Sequence, residues 1–239
     1  MLLLELPPQP APVELAIEEC LLEDLESLGR GEEILRLWEV SQFAVIVGAS
    51  SRITDEVDIE ACHSLRIPVL RRISGGCSVT VGPGCLMYSL LLSLEKRPCL
   101  SVPQQAHQWV LRRLATALES LLGKVEVCGL SDLGYEGRKF SGNSLRRKRR
   151  YFLYHGTLLY RFPLELISWT LRMPPRQPEW RAGRDHAEFL TNIPLSRKQL
   201  HETLVQAFKA EAAWERVPWD AIINLAQEKY SSPGWNLRY

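Results

Sequence analysis

The order in which apolar patterns follow one another constrains this chain more than any single residue does. Pro12 opens a segment in which Leu15, Ile17, Leu21, Leu22, Leu25 and Leu28 recur at helical spacing, and Gly29 stops it. Glu14, Glu18, Glu19, Glu23 and Glu26 read as the wet face of that helix. Leu35–Trp38 and Phe43–Val47 are short apolar runs that read as strands, and Gly48 closes the second. Asp55–Leu65 reads as a helix, and Val69–Ile73, Val79–Val81 and Leu86–Leu92 as strands, with a tight turn at Gly82-Pro83-Gly84. Gln104–Leu122 is the clearest amphipathic helix, ended by Gly123. Strands are expected at Val125–Val127, at Leu133–Phe140 with Glu136-Gly137 as a turn, and at Tyr151–Tyr160. Pro163–Leu171 reads as a helix and Met173–Asp185, with three prolines, as a loop. Ser196-Arg197-Lys198-Gln199 fits a capping box, and a last helix from about Trp219 breaks at Ser232-Pro233-Gly234. Strands and helices alternate without a βαβα rhythm. That order predicts an α+β fold in which helices flank a mixed, largely antiparallel sheet.

Composition narrows the classes of function. The 239 residues suffice for a single domain over 1–239 with a sizeable core, and the apolar content of 46% is ordinary for a globular chain. A formal net charge of +1 gives no electrostatic case for nucleic acid. Met1-Leu2-Leu3-Leu4 is too short for a secretory signal, and no apolar run approaches the roughly 18 residues of a membrane span. The expectation is a cytoplasmic protein with no membrane partner. Cys20, Cys62, Cys77, Cys85, Cys99 and Cys128 form no C-x-x-C pair, so reduced thiols are expected rather than a zinc site.

Four segments carry candidate chemistry. In Arg71-Arg72-Ile73-Ser74-Gly75-Gly76-Cys77, two arginines end a strand and two glycines follow. Glycine lets backbone amides approach a phosphate or carboxylate, and arginine offers a planar fork to phosphate oxygens. The same residues also suit a hairpin turn with exposed arginines. Lys139, just past the Glu136-Gly137 turn, could bind a carboxylate and a phosphate together, or be a solvated hairpin lysine whose removal costs within about 0.5 kcal/mol. Gly156, inside the Tyr151–Tyr160 strand, suggests a bulge or a close backbone approach. His155 beside it is either a hydrogen-bonded core histidine or part of a site. Arg146-Arg147-Lys148-Arg149-Arg150 is either a solvated loop or a surface for an acidic partner, expected to flank the mouth of the site.

Together and in this order, these segments resemble the superfamily of lipoate–protein ligase A, octanoyltransferase and biotin ligase. Glu14-Leu15-Ala16-Ile17-Glu18-Glu19 is similar to its opening helix, and Leu35-Arg36-Leu37-Trp38 and Val45-Ile46-Val47-Gly48 to its first strands. Arg71–Gly76 resembles its R-R-x-S-G-G-G loop, Lys139-Phe140-Ser141-Gly142-Asn143 its K-x-S-G-x-A segment, and His155-Gly156-Thr157-Leu158-Leu159 matches H-G-T-L-L. Leu190-Thr191-Asn192-Ile193 is similar to the later T-N-L element. The resemblance implies a biotin/lipoate ligase-like catalytic domain without a C-terminal accessory domain. It implies activation of lipoate or octanoate with ATP to an acyl adenylate, followed by transfer to a lysine of a carrier domain. Lys139 is then the catalytic residue. Arg71, Arg72, Ser74, Gly75, Gly76, Cys77, Asp132, Ser141, Gly142, His155, Gly156 and Thr157 would bind the nucleotide and the acyl adenylate, with Asp132 also holding Mg2+. The partner implied is an acidic lipoyl carrier domain, of the kind in the E2 component of 2-oxoacid dehydrogenases or in the glycine cleavage H protein, with a separate accessory chain as an option.

The chain departs from the pattern at two places. Cys77 stands where the loop often has a third glycine, and Ser131-Asp132 where many ligases have an N-D pair. Two alternatives remain beside the ligase. One is an ATP-independent octanoyl or lipoyl transferase with a cysteine nucleophile, for which Cys128 is out of register and reads as a structural thiol. The other is a non-catalytic binder that retains the fold.

Overall fold

The computed structural model describes residues 1–239. Its strands are β1 (Leu2–Leu4), β2 (Ile34–Trp38), β3 (Ala44–Val47), β4 (Val69–Arg71), β5 (Val79–Val81) and β6 (Cys85–Ser93), then β7 (Glu126–Cys128), β8 (Asp132–Tyr135), β9 (Arg138–Arg147), β10 (Tyr151–Leu159) and β11 (Ala212–Ala213). The helices are α1 (Ala11–Leu28), α2 (Ile53–Glu56), α3 (Ile59–Ser64), α4 (Pro103–Leu122), α5 (Glu165–Thr170), α6 (His186–Phe189), α7 (Arg197–Phe208), α8 (Trp219–Leu225) and α9 (Pro233–Asn236).

Eight strands form one sheet in the order β11-β1-β2-β6-β10-β9-β8-β7, and β4-β3-β5 form a small second sheet. β1 runs parallel to both of its neighbours, β11 and β2, and every other pairing in the large sheet is antiparallel. The expected mixed, largely antiparallel sheet is therefore present. One core lies between the large sheet, α1 and the small sheet, and the other between the large sheet, α4 and α7. No helix is long and apolar enough to cross a membrane.

Several boundaries differ from the sequence expectation for identifiable reasons. The apolar start is strand β1, and its parallel partners lie far along the chain where no local pattern reveals them. The helix expected over Asp55–Leu65 is two short ones, because the Asp58 side chain accepts from the Ala61 amide at 2.9 Å and starts α3 afresh. Glu14 and Glu18 are not on a wet face; both are 1% exposed. Leu15, Glu18, Leu22 and Leu25 step by three and four, so Glu18 shares the stripe that packs on the sheet. Glu14 is neutralised by the buried Arg36 guanidinium. Gly156 marks no bulge, since β10 pairs β6 in unbroken register. Instead, a Cβ there would lie 1.8 Å from Asn143 Oδ1, so glycine makes room for that side chain.

The basic run stands at the end of β9 away from Lys139. Arg146 is seven residues beyond Lys139 along β9, roughly 23 Å at strand rise. The turn there is folded onto α1: Glu26 accepts from the backbone amides of Arg149, Arg150 and Tyr151, and Lys148 pairs with Glu23.

Candidate active site

The β8–β9 hairpin builds one wall of the site. Glu136 and Gly137 both have left-handed φ, 51° and 72°, which gives the two-residue turn whose twist suits paired strands. That turn sends Lys139 back along β9 beside Asp132 of β8, with Lys139 Nζ 2.7 Å from Asp132 Oδ1. Asp132 Oδ2 accepts from Trp180 Nε1 at 3.3 Å, so the segment expected as a loop over Met173–Asp185 is tied across the hairpin. Arg184 adds bonds to the Gly137 and Trp180 carbonyls, and Arg138 one to that of Ala187.

Two cavities meet at Lys139. One, of about 290 Å³, has Leu15, Trp38, Ile46 and Met87 on its apolar side and Arg72, Gly76, Asp132, Asn143 and His155 on its polar side. The other, of about 150 Å³, lies beneath the 172–186 segment and combines Phe140, Leu159, Ile167 and Phe189 with Arg172, Arg176, Arg181 and His186. Cys77, Ser78, Val79, Lys139, Gly142, Thr157, Arg176 and Pro178 line both. A cation that borders two compartments can serve two anionic ligands at once.

The structure brings most of the expected residues to this place. Arg72, Gly76, Cys77, Asp132, Lys139, Gly142, His155, Gly156 and Thr157 line the larger cavity, and Ser141 the smaller. Arg71, Ser74 and Gly75 line neither. Arg71 is sealed, and its guanidinium donates to the carbonyls of Gly48, Ser51, Asn236 and Arg238. Its charge ties the 48–51 turn to the 236–238 segment, so no free fork remains for phosphate. Arg72 clamps its own loop: Nε donates to Ser74 Oγ, and the remaining groups to the carbonyls of Ile46, Gly75 and Cys77. Burial brings its pKa down to about 10, which still leaves it cationic at neutral pH. Gly76 has φ 84°, and its carbonyl lies where a Cβ on Gly48 would intrude at 1.9 Å.

Sequence reasoning missed several residues of the site. Glu18 bonds His155, and Glu56 accepts from the Ser78 amide at 2.6 Å and its hydroxyl at 2.8 Å, holding the loop beyond Cys77. Arg176 and Arg181 come from the segment read only as a loop, and Arg172 and His186 flank it. The helical stepping of Glu18 could have revealed it; nothing in the local pattern marks the others. Cys77 has its thiol pKa raised, first by burial and then by the Glu56 charge, and burial likewise raises that of Cys128. No three His, Cys, Asp or Glu side chains stand together as a metal cluster.

Comparison with known proteins gives this geometry its context. The family model for the lipoyl protein ligase A/B catalytic domain matches residues 10–212. Lipoate–protein ligase 1 of Staphylococcus aureus is 25% identical over 235 residues, 94% of this chain and 69% of that protein. Octanoyltransferase LipM of Oceanobacillus iheyensis is 25% identical over 224 residues, 86% of this chain and 81% of its own. A bipartite lipoate protein ligase of Thermoplasma acidophilum, from a study with its E2 lipoyl domain, superposes with a TM-score of 0.83 at 21% identity, covering 99% of this chain and 95% of that one. A lipoate-protein ligase A bound with ATP gives 0.78 at 20% identity, covering 99% and 98%. At such identities the structural likeness establishes the fold. The family match spans most of the chain, and with it the chain belongs to the lipoyl protein ligase A/B catalytic domain family.

Proposed function

We propose that this protein activates lipoate or octanoate with ATP and transfers the acyl group to a lysine of a lipoyl carrier domain. The observation that carries the reading is Lys139 at the meeting of two cavities that each combine apolar side chains with arginines. The cavity with Leu15, Trp38, Ile46 and Met87 suits an acyl chain, and its polar end suits the carboxylate. The cavity with Arg172, Arg176 and Arg181 suits the nucleotide. Attack of the carboxylate on the α-phosphorus builds negative charge between them as pyrophosphate leaves. Lys139, held by Asp132, is placed to stabilise that charge, and the loop clamped by Arg72 lines the cavity beside it. The carrier amine then displaces AMP directly.

Mg2+ fits only as a partner of Asp132, the one carboxylate beside Lys139. A single carboxylate is in keeping with an ion that takes most of its ligands from phosphate and water. When bound, the ion would offset phosphate charge.

For a thioester route, Cys77 and Cys128 are poorly prepared. Burial raises both thiols, and their only hydrogen-bond contacts are to the backbone carbonyls of Arg176 and Glu126. An acidic carrier would meet exposed Arg147 and Arg149, which act on encounter rate rather than on chemistry. The deciding experiment is mass spectrometry of a purified lipoyl domain incubated with this protein, lipoate and Mg-ATP. A lipoyl mass increase that depends on ATP is expected, and its absence with a competent carrier, alone or with an accessory chain, would refute the reading.

A further inference from the structure

Glu18, His155, Ser74 and Arg72 form a hydrogen-bonded file that ends on the loop opposite Lys139. His155 Nδ1 lies 3.0 and 2.9 Å from the two Glu18 carboxylate oxygens, and His155 Nε2 lies 2.6 Å from Ser74 Oγ. Arg72 Nε donates to the same Oγ at 2.9 Å. All four side chains are buried. A Glu–His–Ser file resembles the groups that activate a serine nucleophile. Ser74 is sealed, however, and its Oγ already receives Arg72, so attack on a substrate is not its part here.

The direction of each hydrogen follows from Glu18. Burial raises its carboxyl pKa, but His155 by charge and hydrogen bond, the Ser89 hydroxyl and the Arg36 charge outweigh that and hold it below the ordinary value. A carboxylate only accepts, so His155 Nδ1 must carry a hydrogen. In the imidazolium form, whose charge contributes to lowering Glu18, Nε2 also carries a hydrogen; in the neutral form Nδ1–H presents a bare Nε2, which takes the Ser74 hydroxyl hydrogen. Ser74 Oγ is then free to accept from Arg72. Every bond runs the same way, from Arg72 towards Glu18, and bonds so aligned polarise one another. The other Arg72 donors grip the carbonyls of Ile46, Gly75 and Cys77, so the file reaches the loop backbone.

We propose that Glu18 is a positioning residue: by fixing the His155 tautomer it keeps Ser74 an acceptor towards Arg72, and so fixes the 72–77 loop that faces Lys139. The kinetic consequence rests on the acyl-activation reading, whereas the tautomer does not.

The test combines nitrogen-15 NMR of the imidazole nitrogens with pyrophosphate release from lipoate and Mg-ATP, using the full chain, Glu18→Gln and Ser74→Ala. At a pH where the imidazole is neutral, the wild type should show the hydrogen on His155 Nδ1 alone. Glu18→Gln, whose amide can donate, should move it to Nε2 and lower kcat roughly tenfold or more, the size of one lost charge-assisted hydrogen bond. Ser74→Ala should keep the Nδ1–H tautomer and lose turnover similarly. A wild-type His155 with hydrogen on Nε2 overturns the proposal, as does a folded Glu18→Gln with wild-type tautomer and rate. Should Glu18→Gln fail to fold, wild-type turnover in Ser74→Ala overturns it instead. A wild type that releases no pyrophosphate, alone or with an accessory chain, refutes the activity, and the tautomer and its change in Glu18→Gln then decide the file alone.

Discussion

Truncating Lys139 to alanine removes a cation common to both cavities, and its two consequences can be separated. The lysine side chain is 25% exposed and its partner Asp132 7%, at 2.7 Å. An exposed ion pair contributes about 0.2–1 kcal/mol, whereas breaking a buried one costs about 3–5 kcal/mol. This pair lies between the limits, and Asp132 keeps Trp180 as a donor, so the expected loss is about 1–2 kcal/mol. That exceeds the cost expected of a solvated hairpin lysine. In a domain of this size it lowers the Tm by about 2–8 °C, so the variant stays folded under assay conditions. Catalysis should suffer far more. Removing one preorganised donor from developing charge costs roughly 10²–10³ in kcat. Pyrophosphate release from lipoate and Mg-ATP, measured beside a thermal melt, reads both. Wild-type release from a folded Lys139→Ala protein would refute the role given to this residue.

Arg71→Ala should act on stability instead: it orphans four carbonyls at a sealed site, and urea denaturation should show a loss of about 3–5 kcal/mol, comparable to breaking a buried ion pair. A fully stable Arg71→Ala with weakened ATP binding would return this residue to the phosphate site. Cys77→Ser and Cys128→Ser should retain pyrophosphate release and carrier acylation, because burial keeps both thiols protonated; a thioester trapped on Cys128, with activity lost in its serine variant, would favour the transferase. Burial lowers the pKa of His107, so the fold favours its neutral form. Its contribution is fully present above the unfolded value near 6.5 and drains as pH falls through the lower folded value, so His107→Gln should flatten the loss of stability below that pH in a urea series.

Elements with strong local signatures were legible in the sequence. The capping box at Ser196 and Gln199 forms as its spacing implies, and α4 ends at Gly123 as its pattern does. The Glu136-Gly137 turn forms where its residues implied, and Lys139 follows it on the returning strand. The sequence hid features that depend on distant partners. The parallel pairing of β1 with β11 joins Leu2 to Ala212, and no local period records that. The two arginines before the glycines look alike in the sequence. Their roles diverge because Arg71 points towards the 236–238 segment and Arg72 into its own loop. The arginines of the 172–186 segment look like solvated charges until the chain folds back over the hairpin.

The contact between α1 and the β9–β10 turn is asymmetric in its materials. Beside the Lys148–Glu23 ion pair, a single carboxylate, Glu26, meets three main-chain amides. A tether made of backbone does not record which side chains occupy the turn. Any residue that keeps its N–H satisfies Glu26 equally, and only proline cannot. The basic letters at Arg149 and Arg150 can thus be replaced by neutral ones while these backbone bonds persist. Glu26 has no such latitude. In related chains, the charge of this turn should drift freely while a hydrogen-bond acceptor facing it from the helix stays fixed.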